Sequence, residues 1–108
     1  PHTTLILNAE DDAADTVRPR AAAAGADLSR VVVAECDPLP QFPASGPALG
    51  RLVRERAADL LVIDPMMAFF PPEAWANSDQ RIRRALAPLA GMAADTGCAV
   101  LLVRHLSK

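Results

Sequence analysis

A glycine-rich loop ending in lysine is missing from this sequence. The five glycines, Gly25, Gly46, Gly50, Gly91 and Gly97, nowhere form G-x-x-x-x-G-K-[ST]. That motif cradles phosphates because flexible backbone amides and an ammonium group converge on them. This stretch of chain therefore cannot bind a triphosphate by itself in the usual way. Lysine is almost absent altogether, Lys108 being the single example. Cysteine is scarce too: Cys36 and Cys98 are too few for a disulfide framework and lack metal-ligand spacing. Cys98 opens a predicted buried strand and reads as a reduced packing residue. No apolar run approaches the ~20 residues needed to span a bilayer, and no segment has the form of a signal peptide. No membrane partner is expected, and the cytoplasm is the expected setting. There is no excess of positive charge either. A formal net charge of −2 gives no general pull toward nucleic acid, so any DNA contact must be local.

Apolar residues, by contrast, make up 51% of the 108 residues. That suits a single modest core and a sheet covered on both faces, whose strands read as continuous apolar runs. Four such runs stand out, at 4–8, 30–36, 59–64 and 98–105. Between them lie helical patterns at 12–24, 47–58 and 78–95. In the first, Val17, Ala21 and Ala24 share a face, Gly25 is placed to end it, and Pro19 sits in its first turn or kinks it. The second should bury Leu49, Leu52, Val53 and Ala57 while Arg51, Arg54 and Glu55 face water. The third carries Ile82, Leu86, Leu89, Met92 and Ala93 on one stripe, is capped by Asn77 or Ser78, and should bend at Pro88. Strand–helix–strand alternation implies an open parallel sheet of four strands with right-handed crossovers and flanking helices. Two proline-rich segments without periodicity, 37–46 and 65–77, are the expected long loops. In the second, Phe69 and Phe70 are expected to pack under the sheet edge and Trp75 to staple the next helix, in preference to a base-stacking role. Both termini are expected to fall inside secondary structure, and there is no initiator Met, so the chain is expected to be a piece of a larger domain.

In an open parallel sheet, ligands bind beyond the carboxyl ends of the strands. Glu10 and Asp11 follow the first strand, Asp64 ends the third, and His105 ends the fourth. All are therefore expected on one rim. The competing reading is that polar residues simply belong where strands meet solvent. Asp64 closes the run Leu60-Leu61-Val62-Ile63, the form of a Walker B strand, in which a carboxylate orients Mg²⁺ through its water shell. The following residue is Pro65, so a general base must come from another strand, and Glu10 is the candidate. His105 could sense a terminal phosphate or be a surface imidazole. Lys108 could reach a phosphate or be a solvated chain end.

These residues carry a resemblance. The segments 8–12 and 15–20, then Ala23-Ala24-Gly25-Ala26, are similar to the stretch after the P-loop helix in RecA-like AAA-family ATPases. The branch resembled is that of the RepA-type hexameric replicative helicase. Leu61-Val62-Ile63-Asp64-Pro65 looks like its Walker B strand, and 94–98 with 104–108 resembles its following helix and sensor strand. The resemblance implies a partial RecA-like domain over 1–108, running from Walker B to the sensor region with Walker A absent. It implies ATP and Mg²⁺ as cofactors of the parent protein, with none held tightly by this piece. Asp64 would support the metal, with Asp11 and Lys108 near the nucleotide. Glu10 would activate water, and His105 would contact the terminal phosphate region. The implied partners are a homo-oligomer, a hexamer, acting on DNA in replication.

The implied strand order is 30–36, 4–8, 59–64, 98–105, with the P-loop strand of the intact domain beside the last. In this piece that edge is bare, and self-association through 98–105 is expected. A non-catalytic interaction module with a degenerate nucleotide-binding fold is the alternative. A flavodoxin-like or hydrolase-type α/β enzyme with Asp64 as nucleophile is a third reading. It would need a base or a phosphate-binding serine near Asp64, and Pro65-Met66-Met67 offers none.

Overall fold

Alternation of half-buried and buried residues in Thr4–Asn8 (β1) and Leu60–Asp64 (β3) places Leu5, Leu7, Leu61 and Ile63 on one side of a sheet. The computed structural model describes residues 2–9, 16–35, 39–42, 44–70 and 79–104. Val31–Ala34 forms β2 and Ala99–Leu102 forms β4. All pairings are parallel, and the order is β2-β1-β3-β4, the order the family resemblance implies. The register sets Leu5 between Val32 and Leu61, and Leu7 between Ala34 and Ile63. β1 spans the predicted residues, while β2, β3 and β4 are shorter than their apolar runs: Arg30 belongs to a 3-10 turn, Leu28–Arg30, rather than to β2.

Among the described residues, three α-helices connect the strands: Arg18–Ala23 (α1), Gly46–Arg56 (α2) and Asp79–Thr96 (α3). Right-handed crossovers put α2 and α3 on one face of the sheet and α1 on the other. Leu49 and Val53 of α2 and Ala85, Leu89 and Met92 of α3 complete the core over β1 and β3. The two helices approach closely: a Cβ added to Gly46 would lie 3.1 Å from Pro88 Cβ. Pro88 lies inside α3, which continues to Thr96. Pro19 sits in the first turn of α1, directly after a π-helical turn at 16–17.

Helix ends follow local chemistry. Gly25, at φ +87°, closes α1 with the Ala26 amide donating to the Ala21 carbonyl at 3.0 Å. Ala57 does the same at the end of α2 with φ +50°, where the Ala58 amide donates to the Val53 carbonyl at 3.0 Å. Ala57 is therefore exposed rather than part of the buried stripe, because the helix stops one residue before it. Leu52, Ile82, Leu86 and Ala93 are half-buried at the margin of the core. The face predicted for α1 buries nothing: none of its residues is buried.

Helices lie on both faces, but among the described residues the two faces are covered unequally. On the second face Ile6, Val33, Leu60 and Val62 are half-buried, and Leu101 is 51% exposed. On that face α1 buries no side chain.

Candidate functional site at the carboxyl rim

The two ends of the sheet differ in how they are held. At the amino end, Asp59 ties three strands together. Its carboxylate accepts the Thr3 amide at 2.9 Å, its own amide donates to the Thr3 carbonyl at 2.8 Å, and its carbonyl accepts the Ala99 amide at 2.9 Å. The Thr3 amide holds the Asp59 carboxyl below its ordinary range; slight burial opposes this, and nearby His2 at 3.5 Å adds to it. Cys98 is close by, free and buried, and burial raises its thiol pKa, with the Asp59 charge adding to the effect. The packing role expected for it fits. This end is structural.

At the carboxyl end, Asp64 is the last residue of β3 and is half-buried. Its register partner is Asn8, the last residue of β1. By strand alternation both side chains emerge on the open face, with Ile6 and Val62, away from α2 and α3. The backbone around Asp64 is held on both sides. The Ala9 amide donates to the Asp64 carbonyl at 3.1 Å, the Val103 amide to Ile63 at 2.9 Å, and the Met66 amide to Val103 at 2.8 Å. Segments continuing from β1 and from β4 thus leave the sheet on either side of Asp64, in the same direction.

The rim is walled by a small aromatic cluster. Phe42 and Phe70 lie with ring centroids 5.3 Å apart, and Phe42, Phe69 and Phe70 are all buried. The Phe42 amide donates to the Phe69 carbonyl at 2.8 Å, and the Gln41 side-chain amide to Ala68 at 3.0 Å. The segment before α2 is thereby locked to the turn Met66–Phe69 that follows Asp64. The packing expected of Phe69 and Phe70 holds, while Trp75 lies outside the described residues.

Of the residues singled out in the sequence, Asp64 stands where the apolar run placed it. Glu10, Asp11, His105 and Lys108 lie outside the described residues. Ala9, one before Glu10, and Arg104, one before His105, belong to the two segments flanking Asp64. Asn8 was not recognised as a site residue, because a polar residue ending a strand is commonplace and only the β1–β3 register sets it opposite Asp64. No group of three metal-ligating side chains occurs among the described residues. A single carboxylate does not make a cage, but it suits a cation that keeps several waters, as Mg²⁺ does. Among the described residues no helix is long and apolar enough to cross a membrane.

An open parallel sheet with this strand order and an acidic residue ending an inner strand has the core arrangement of the RecA-like, P-loop NTPase class. Comparison with known proteins agrees. The family model described as an AAA domain matches residues 1–108, and the chain belongs to that family. Among solved structures, the chain resembles a KaiC-like protein from the hyperthermophilic archaeon Pyrococcus horikoshii OT3. The two share 21% identity at a TM-score of 0.59, over 94% of this chain and 49% of that one. The chain thus spans about half the length of that relative, and at this identity the likeness concerns the fold. No curated protein matches.

Proposed function

We propose that residues 1–108 are one part of an ATP-hydrolysing RecA-like motor domain, with the Walker B aspartate at Asp64. The parent is read as a RepA-type DNA helicase or a replication-associated ATPase of the cytoplasm, working as a hexamer. The observation that carries this reading is the position of Asp64, closing an inner strand between two segments that continue toward Glu10 and His105. In that arrangement Asp64 would hold a Mg²⁺ ion through the ion's water shell, with Asn8 next to it in register. The metal, when bound, neutralises charge on the phosphate oxygens. Glu10 orients and deprotonates the attacking water, His105 contacts the terminal phosphate, and Asp11 and Lys108 line the nucleotide. Catalysis is then mainly positioning and charge stabilisation.

The phosphate cradle is not encoded in this sequence, so the 108-residue chain alone is expected to show no ATP turnover. The decisive observation is the coding sequence upstream of Pro1. A glycine-rich loop ending in Lys-Ser or Lys-Thr supports the motor. In that longer polypeptide, Glu10→Gln should slow hydrolysis by about 100-fold or more while nucleotide binding persists. Asp64→Asn should abolish Mg²⁺-dependent turnover. An upstream sequence without such a loop favours the alternative, a non-catalytic interaction module with a degenerate nucleotide-binding fold. ATP turnover by the 108-residue chain that Glu10→Gln removes would overturn the argument from the missing cradle.

A further inference from the structure

We propose that Asn8 sets the metal specificity of the rim. A neutral amide beside Asp64 leaves a one-carboxylate site, which takes a divalent cation only together with the phosphates of a nucleotide and not as a free ion. The inference deepens the ATPase reading above and rests on it.

The backbone fixes the placement. Asn8 and Asp64 are register partners at the last positions of β1 and β3, and the Ala9 amide donates to the Asp64 carbonyl at 3.1 Å just beyond them. Partners on neighbouring strands stand about 4.8 Å apart with their side chains on the same face. Both residues are half-buried, on the face turned away from α2 and α3. Two oxygen-bearing side chains at that spacing can reach one ion or its water shell. What an ion meets there is therefore decided by the residue at position 8 as much as by Asp64.

The pair is chemically asymmetric. Asp64 brings a negative charge, whereas Asn8 has nearly the same shape as an aspartate and brings none. Among the described residues no group of three metal-ligating side chains adds to them. A lone carboxylate attracts a hydrated cation weakly, and Mg²⁺ gives up its waters reluctantly, so further ligands must arrive on the ion itself. The phosphate oxygens of a nucleotide are such ligands. Two carboxylates at the same spacing would behave differently. Their combined charge suits direct coordination of a cation that is less demanding of its water shell, such as Ca²⁺ or Mn²⁺, with no nucleotide present. An ion held that way would stand where the nucleotide's own Mg²⁺ has to settle. The amide at position 8 prevents this.

Titration of the 108-residue chain with Mn²⁺, read from the electron paramagnetic resonance of the free ion, tests the assignment. Asn8→Asp should bind Mn²⁺ about tenfold or more tightly than the parent chain, while the neutral variant Asn8→Ser should bind as weakly as the parent. Adding Asp64→Asn to Asn8→Asp should return binding to the parent level. That double variant separates the pair from the acidic run Glu10-Asp11-Asp12, which all the forms share. Circular dichroism checks the fold of each variant; if Asn8→Asp is unfolded alone, Mn²⁺ should refold it, because binding to the folded state stabilises it. In the longer polypeptide the parent should take up Mn²⁺ with ATP and not without it, and Asn8→Asp should do so in both conditions. The proposal is overturned by an Asn8→Asp variant that binds no better than the parent, by a gain that survives Asp64→Asn, or by a parent chain that already binds the free ion as tightly. A longer polypeptide that takes up no Mn²⁺ even with ATP removes the ATPase reading and this proposal together, whereas the other three outcomes remove the proposal alone.

Discussion

The two faces of the sheet are built from the same kinds of residue and end in different states. On one, Leu5, Leu7, Leu61 and Ile63 are at most 2% exposed beneath α2 and α3. On the other, Ile6, Leu60 and Val62 remain half-buried and Leu101 is open. Composition cannot explain the difference. What separates the faces is helix placement: two right-handed crossovers run toward β4 and one runs toward β2. Asp64 and Asn8 share the open face, so the candidate chemistry and the unsealed apolar surface lie together. A ligand or an added element on that face would therefore touch both.

The sharpest way to break this comparison is to truncate one residue on each face. Leu61→Ala removes a fully buried side chain at the centre of the core and should cost about 2–5 kcal/mol in urea unfolding. A loss well below that would mean that the two faces are energetically alike. The next effect has the opposite sign. Ala57 holds a left-handed conformation with φ +50°, so Ala57→Gly should stabilise the chain by up to about 1 kcal/mol, read from the melting temperature. Leu101→Ser, on the open face, should change stability by no more than about 0.5 kcal/mol in a dilute, monomeric sample.

The smallest effect concerns the amino end of the sheet. The folded-state pKa of the Asp59 carboxyl is lowered, chiefly by the Thr3 amide. Its contribution to stability is therefore present above the unfolded-state value of about 4 and is lost as pH falls through the lower folded value. Thermal melts should show Asp59→Asn losing part of this acid dependence while the parent chain keeps it. Identical pH profiles for the two would remove Asp59 as the source.

Particular residues show how much could be read in advance. Gly25 and Gly97 mark the ends of α1 and α3 because each takes positive φ, at +87° and +76°, which a side chain resists. The α2 stripe was legible through Leu49 and Val53, yet periodicity also counted Ala57, which the helix never reaches. Periodicity measures spacing and is blind to where hydrogen bonding stops. Within 60–63 every residue is apolar, so nothing in the run distinguishes Leu61 and Ile63, fully buried, from Leu60 and Val62. Asp64 was legible as a carboxylate closing an apolar run. Asn8 was not, because its importance comes from a partner 56 positions away in the sequence.

The sequence by itself determined the four strands, their parallel sense, the glycine-marked stops of α1 and α3, and the aspartate at the rim, while the order of the strands came from the family resemblance. The former follow from local pattern plus the strand–helix alternation, both of which a linear string carries. Only tertiary structure decided which side of the sheet is sealed, which residue stands opposite Asp64, and that Phe42 and Gln41 brace the turn beyond it. Those outcomes depend on contacts between segments distant along the chain, where the physical reason is register and layer placement rather than residue type.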